Sequence, residues 1–101
     1  MLSTVAAQGV RAAVVLPIAN VAEEEGTLSN LRGRVQRFLQ ARAAPGLARP
    51  SWFVLADLLT ALGEHSEYMT ASAVFDGLAR TEAPFAGMSY DTLALRGAVL
   101  K

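Results

Sequence analysis

Residues 14–38, VVLPIANVAEEEGTLSNLRGRVQRF, decide how this chain is read. The run Ala12–Leu16 is β-branched and apolar on both sides, which predicts a short strand buried on both faces. Pro17 has no N–H to donate, so the ladder should stop there. Residues 18–22 fit either a helical turn or an extended link, and the acidic step Glu23-Glu24-Glu25 follows. Thr27–Ser29 and Arg34–Phe38 then read as two strands joined by Asn30-Leu31-Arg32-Gly33. Asn at the first position and Gly at the fourth suit a type I turn, because Asn bonds locally and Gly tolerates positive φ. In the second strand Val35 and Arg37 share one face, and Arg34, Gln36 and Phe38 share the other.

Beyond the hairpin, Ala41–Pro50 holds Pro45-Gly46 and a second proline and reads as an irregular link. Ser51 offers an N-cap to a helix over 51–62, where Trp52, Leu55, Ala56, Leu59 and Leu62 recur at helical spacing. That stripe is core or interface, and Gly63 is the stop. A second helix begins near Thr70 or Ser72 and runs to Arg80, presenting Val74, Phe75 and Leu78. Gly77 weakens it by about 1 kcal/mol relative to Ala. Ala83-Pro84 ends that region. A third short helix, capped by Ser89, carries Tyr90, Leu93 and Leu95 and stops at Gly97. The expected class is α/β, or α+β as an isolated fragment: a short buried strand, a β-hairpin, then about three helices. The chain reads as one fragment, with strand and hairpin over 12–38, a linker over 39–50 and a helical part over 51–97.

A chain of 101 residues supports one small domain with a modest core. Hydrophobic residues make up 52% and charged residues 18%, and mean hydropathy is +0.32. Two structures fit those values: an Ala-rich compact domain, or a piece whose apolar faces rest against further chain. Formal net charge is zero, so no whole-molecule field draws nucleic acid or an anionic membrane. The absence of cysteine removes disulfides, Cys-ligated iron–sulfur clusters and thiol catalysis together, but leaves the compartment open. Arg11 and the brief apolar stretch Ala12–Ala19, broken by Pro17, make a poor secretory signal. No uncharged apolar run reaches the roughly 20 residues that cross a bilayer, so direct membrane insertion is not expected.

The chemistry-bearing residues are sparse. Three adjacent carboxylates diverge on any regular element, so Glu23–Glu25 make a poor metal cage or acid–base pair without outside partners. Arg32, Arg34, Arg37, Arg42 and Arg49 lie in a stretch with no acid between Glu25 and Asp57. Phosphate or nucleic-acid contact is one reading. Too few aromatics accompany them for base stacking, and pairing with the acidic step and with carbonyls is the better one. His65 is the only histidine and stands among Glu64, Ser66 and Glu67, a solvated position; without Cys the chain cannot supply a structural zinc site. No Gly-x-Ser-x-Gly elbow, GxGxxG or GxxxxGK loop is present. No catalytic residue and no metal ligand set is therefore expected.

The ordered set VLP, Glu23, Gly26-Thr27, Asn30, Gly33-Arg34 and Gln36 resembles the segment VLP…E-x-x-GT-x-x-N-x-x-GR-x-Q of the molybdopterin oxidoreductase family. That family includes formate dehydrogenases, nitrate reductases and the large G subunit of NADH-quinone oxidoreductase. Pro45-Gly46-x-Ala48-Arg49-Pro50-x-Trp52 is similar to the family's PPG-x-ARP-x-W link, and Phe53–Gly63 to the helix after it. Val74-Phe75-Asp76-x-Leu78 and Phe85-x-Gly87-Met88-Ser89-Tyr90 resemble the next helix and the entry to the last. The likeness runs from about Ala12 onward. Departures occur at Glu24, where Lys or Arg is usual, at Ala13 for an Asp, and at Leu28 for an aromatic.

The resemblance implies a large α/β enzyme of which these residues are a C-terminal scaffold piece. Its first form is a structural portion of a G-type subunit, supporting electron transfer from NADH to quinone. Such a parent carries iron–sulfur clusters on segments this chain lacks. Its partners would be the rest of that subunit and other respiratory-complex subunits, at the cytoplasmic side of the inner membrane. The second form is a segment of a molybdopterin-dependent, formate dehydrogenase-like enzyme, near a molybdopterin guanine dinucleotide. A stand-alone interaction module is a third reading, from a different class. Glu23, Gly26, Thr27, Asn30, Gly33, Arg34 and Gln36 are the motif positions for cofactor approach. The isolated chain is expected to be inactive, to hold no cofactor itself, and to form a homodimer, swap elements or bind a hydrophobic dye.

Overall fold

A computed structural model describes residues 1–5 and 9–101. It is a mixed α/β structure with a short parallel strand pair, a three-stranded antiparallel sheet and three helices. Its residues sort into two compact units: Met1–Glu24 with Gln40–Glu67, and Glu25–Leu39 with Tyr68–Lys101.

In the first unit, β1 (Leu2–Ser3) pairs in parallel with β2 (Leu16–Pro17). Here the expected strand is corrected. Only Leu16 of the Ala12–Leu16 run joins a strand, and Val14 is 62% exposed. A parallel strand is buried on both faces only where neighbouring strands and helices cover it, and two residues of β1 do not. Pro17, expected to end the ladder, lies within it. The bonds to β1 use the N–H groups of Leu16 and Ile18, which donate to Met1 O and Ser3 O at 2.9 and 3.0 Å. The missing proline N–H falls between them, where none is needed.

Residues 21–23 form the turn, closed by Glu23 N–H donating to Asn20 O at 2.8 Å. The link over 41–50 is irregular, with one bridge that sets Ile18 beside Arg49. It delivers α1 (Ser51–Ala61). Ser51 is not its N-cap. Pro50 holds that position and no side chain of its own caps the helix, because Pro50 sets the entry and Ser51 becomes the first helical residue. Gly63 closes the far end, its N–H donating to Thr60 O at 3.0 Å. No residue of α1 is buried. Among the described residues, Ala19, Ala48 and Glu23 are the buried side chains of this unit.

The second unit has a core. β3 (Gly26–Ser29) and β4 (Arg34–Phe38) form the expected hairpin, with Thr27 opposite Arg37 and Ser29 opposite Val35. Asn30 N–H donates to Arg34 O, Gly33 N–H donates to Asn30 O, and Gly33 has φ +70°. This is a type I turn completed by a left-handed residue, which matches the twist of the strands it joins. α2 (Ala71–Thr81) is capped by Thr70, whose hydroxyl accepts from Ala73 N–H at 3.1 Å. Ala83-Pro84 does not merely end it but winds a 3₁₀ turn over Ala83–Phe85.

α3 (Tyr90–Leu93) has Ser89 as its cap, in a reciprocal arrangement with Thr92. It stops earlier than expected: Leu95 is 96% exposed and outside the helix. Gly97 then turns the chain into β5 (Ala98–Val99), unanticipated because two residues carry no alternation, which pairs antiparallel with β4. Val35, Ala71, Phe75, Met88, Tyr90 and Leu93 are buried here. The Phe75 ring meets Phe85 edge-on at 6.2 Å and Tyr90 at 5.8 Å between centroids.

Candidate functional site

Glu23 is buried by its immediate neighbours in the first unit. Its Oε2 accepts from Asn20 N–H at 3.1 Å, and its Oε1 accepts from Arg42 Nε at 3.1 Å and from the Nη2 of the same guanidinium. Both lobes of the carboxylate are thus engaged by charge-assisted bonds. The Asn20 amide holds the Glu23 carboxyl below the usual carboxylate range, the Arg42 guanidinium adds to this, and burial opposes it. Gln40 Nε2 donates to Glu23 O at 3.0 Å, and Asn20 Oδ1 accepts from Ala22 N–H at 2.9 Å. Glu24 serves a different purpose. Its Oε2 accepts from Ser51 N–H at 3.2 Å, placing a carboxylate at the N-terminus of α1 where free N–H groups and the dipole favour it.

A groove of about 640 Å³ borders this cluster, lined in part by Thr4, Ile18, Asn20, Glu23 and Arg42. It opens beyond the C-terminal ends of β1 and β2, the side of parallel strands where α/β folds take ligands.

The other six motif residues belong to the second unit. Asn30 Oδ1 accepts from Arg32 N–H at 2.9 Å and Arg34 N–H at 3.0 Å, so its carbonyl is consumed inside the turn. Arg34 Nη1 donates to Arg96 O at 3.1 Å, tying β4 to the loop before β5. Gly26 lies directly under the Phe38 ring, which a Cβ there would meet at 2.9 Å. Thr27 is half-buried and Gln36 exposed. The Glu23 carboxylate, the Asn30 carbonyl and the Arg34 Nη1 are therefore engaged within the chain. Among the described residues, no three His, Asp or Glu side chains converge on a metal-sized space.

One contact escaped the sequence reading. The Arg37 guanidinium lies over the Tyr90 ring at 4.2 Å from its centroid, and Arg37 Nε is buried without a hydrogen-bond partner. Burial pushes the Tyr90 phenol up, Glu25 and Asp76 add to this, and Arg37 opposes it. The alternation in β4 placed Arg37 beside Val35, but 53 positions of sequence hid Tyr90. Two more of the five behave as expected of structural cations, Arg42 pairing with Glu23 and Arg49 Nη1 donating to Ala48 O at 3.0 Å, while the exposed Arg32 side chain makes no such bond among the described residues. No helix among the described residues is long and apolar enough to cross a membrane.

The sequence pattern of the molybdopterin oxidoreductase family matches residues 4–61. The F420-dependent formate dehydrogenase 2 subunit alpha of Methanococcus maripaludis is 41% identical over 86 residues, covering 83% of this chain and 13% of that protein. The assimilatory nitrate reductase catalytic subunit of Bacillus subtilis is 34% identical over 92 residues, covering 85% of this chain and again 13% of the relative. The chain thus spans about an eighth of the length of either relative.

Proposed function

Because the chain belongs to the molybdopterin oxidoreductase family, we propose that it is a structural segment of a molybdopterin-dependent, formate dehydrogenase-like oxidoreductase. The observation that carries this is the 41% identity to a formate dehydrogenase subunit over 83% of the chain. The reading as part of a G-type NADH-quinone oxidoreductase subunit gives way to it. The relatives described above bear the names of formate dehydrogenase and nitrate reductase subunits, and nothing in those names favours NADH or quinone.

In the parent protein the molybdenum or tungsten pterin supplies the electron-transfer chemistry. This chain's own residues hold shape. Glu23 closes the Asn20 turn and anchors Arg42, Glu24 anchors α1, and Asn30 with Gly33 shapes the hairpin. The groove beside Glu23 is where a substrate or cofactor edge would approach.

A segment exchange tests the proposal. This chain replaces its matching residues in the M. maripaludis subunit, and formate-dependent reduction of an acceptor dye is measured together with bound molybdenum or tungsten. Retention of both is expected. The isolated chain should turn over neither formate, nitrate nor NADH. A soluble exchange protein that has lost its metal and its formate oxidation sinks the proposal.

A further inference from the structure

The first unit has no large buried apolar side chain among the described residues; its buried apolar residues are Ala19 and Ala48. Its helix α1, SWFVLADLLTA, carries one charge, Asp57, yet Leu55 is 53% exposed and Leu58 40%. A groove of about 430 Å³ runs between this helix and β2, floored by Leu16, Pro17, Phe53, Val54 and Leu58, with Arg49 and Asp57 among its lining residues. The second unit, by contrast, seals Phe75, Tyr90 and Leu93 completely enough to count as a core.

The apolar residues of α1 also surround its axis. Phe53 and Leu55 lie about 200° apart at about 100° per residue. A helix at a water-facing surface keeps an apolar stripe only a little over 100° wide, and one apolar all round is packed on several sides. A second copy of this chain covers one patch in a two-fold contact and leaves the opposite side wet. Parallel strands such as β1 and β2 are covered by helices on both faces. The relatives supply the material: seven-eighths of their length lies outside the matched residues.

From these observations we infer that the α1–β2 groove is a docking surface for an apolar α-helix of the same longer polypeptide, and that further chain of that polypeptide covers the outer side of α1. The helix seats a large aliphatic or aromatic side chain between Leu16 and Leu58. This inference rests on the proposed function, since it takes the parent enzyme as the source of that helix.

The test uses the chain with Leu58→Glu, Leu55→Glu and, as a control on the hairpin of the second unit, Leu28→Glu. The isolated wild-type chain is expected to be a monomer that binds a hydrophobic dye. Either α1 variant should lower dye fluorescence several-fold with unchanged circular dichroism and thermal midpoint, whereas Leu28→Glu should not. In the M. maripaludis exchange protein the wild-type segment should be dye-silent, and either α1 variant should make it dye-binding or insoluble. A dye-silent dimer of the isolated chain overturns the inference in favour of a second copy. So does a Leu58→Glu exchange protein as silent and heat-stable as its parent. An exchange protein that is dye-silent but does not oxidise formate counts against the function and leaves the docking surface standing.

Discussion

Glu23 shows how much one side chain can organise when its acceptors are all engaged. The carboxylate is held below its usual range in the native state, chiefly by the Asn20 amide. Its contribution to stability is therefore complete above the unfolded carboxylate pKa, and is lost as pH falls through the lower native value. Glu23→Gln should unfold at lower urea than wild type at pH 7, and the gap between the two should close in acid below that range. A gap that persists there would assign the effect to packing. Backbone constraints are equally local. Gly33→Val should cost about 1 kcal/mol or more, because φ is +70°. Gly97→Ala should cost more than that, since the added Cβ would stand 2.2 Å from Val35 O in addition to the positive φ. Urea midpoints of both variants check the order.

Elements differ in where their end caps come from. α2 and α3 carry local caps, Thr70 and Ser89, which the sequence displays. α1 borrows its acceptor from Glu24, 27 residues upstream. Thr70→Ala should therefore cost about 1 kcal/mol, in line with other cap deletions. Ser51→Ala should be close to neutral although Ser51 reads as a cap. Glu24→Ala should behave like the Thr70 variant and lower the helical signal at 222 nm. Equal losses for Ser51→Ala and Thr70→Ala would show that the Ser51 hydroxyl caps after all. The three-residue hairpin loop was legible because Asn and Gly act through bonds that span four residues. The extent of the first strand was not, since burial of Ala12–Val15 depends on what lies over it.

At the scale of the whole molecule the two units are unequal. The second is held by Phe75, Phe85, Tyr90, Leu93 and Val35, with Arg37 stacked on Tyr90. The first relies on short ladders, the Glu23–Arg42 pair and small alanines. Phe75→Ala should cost about 3–5 kcal/mol, the range for emptying an aromatic site in a packed core. Amide exchange should be slowest in β4 and α2 and fastest in α1 and β2. Stronger protection of α1 than of α2 in the isolated chain would contradict this inequality.

Sequence alone determined what depends on neighbours a few residues apart: the Asn30–Gly33 turn, the Thr70 and Ser89 caps, the Gly63 stop and the family motif. Tertiary structure decided what depends on distant groups. It gave Glu24 to α1, laid Arg37 over Tyr90, drew β5 alongside β4, and left Val14 and α1 exposed. The physical reason is range. Hydrogen bonds within a turn are dictated by local geometry, whereas burial is a property of everything that surrounds a side chain, and no spacing along the chain encodes it.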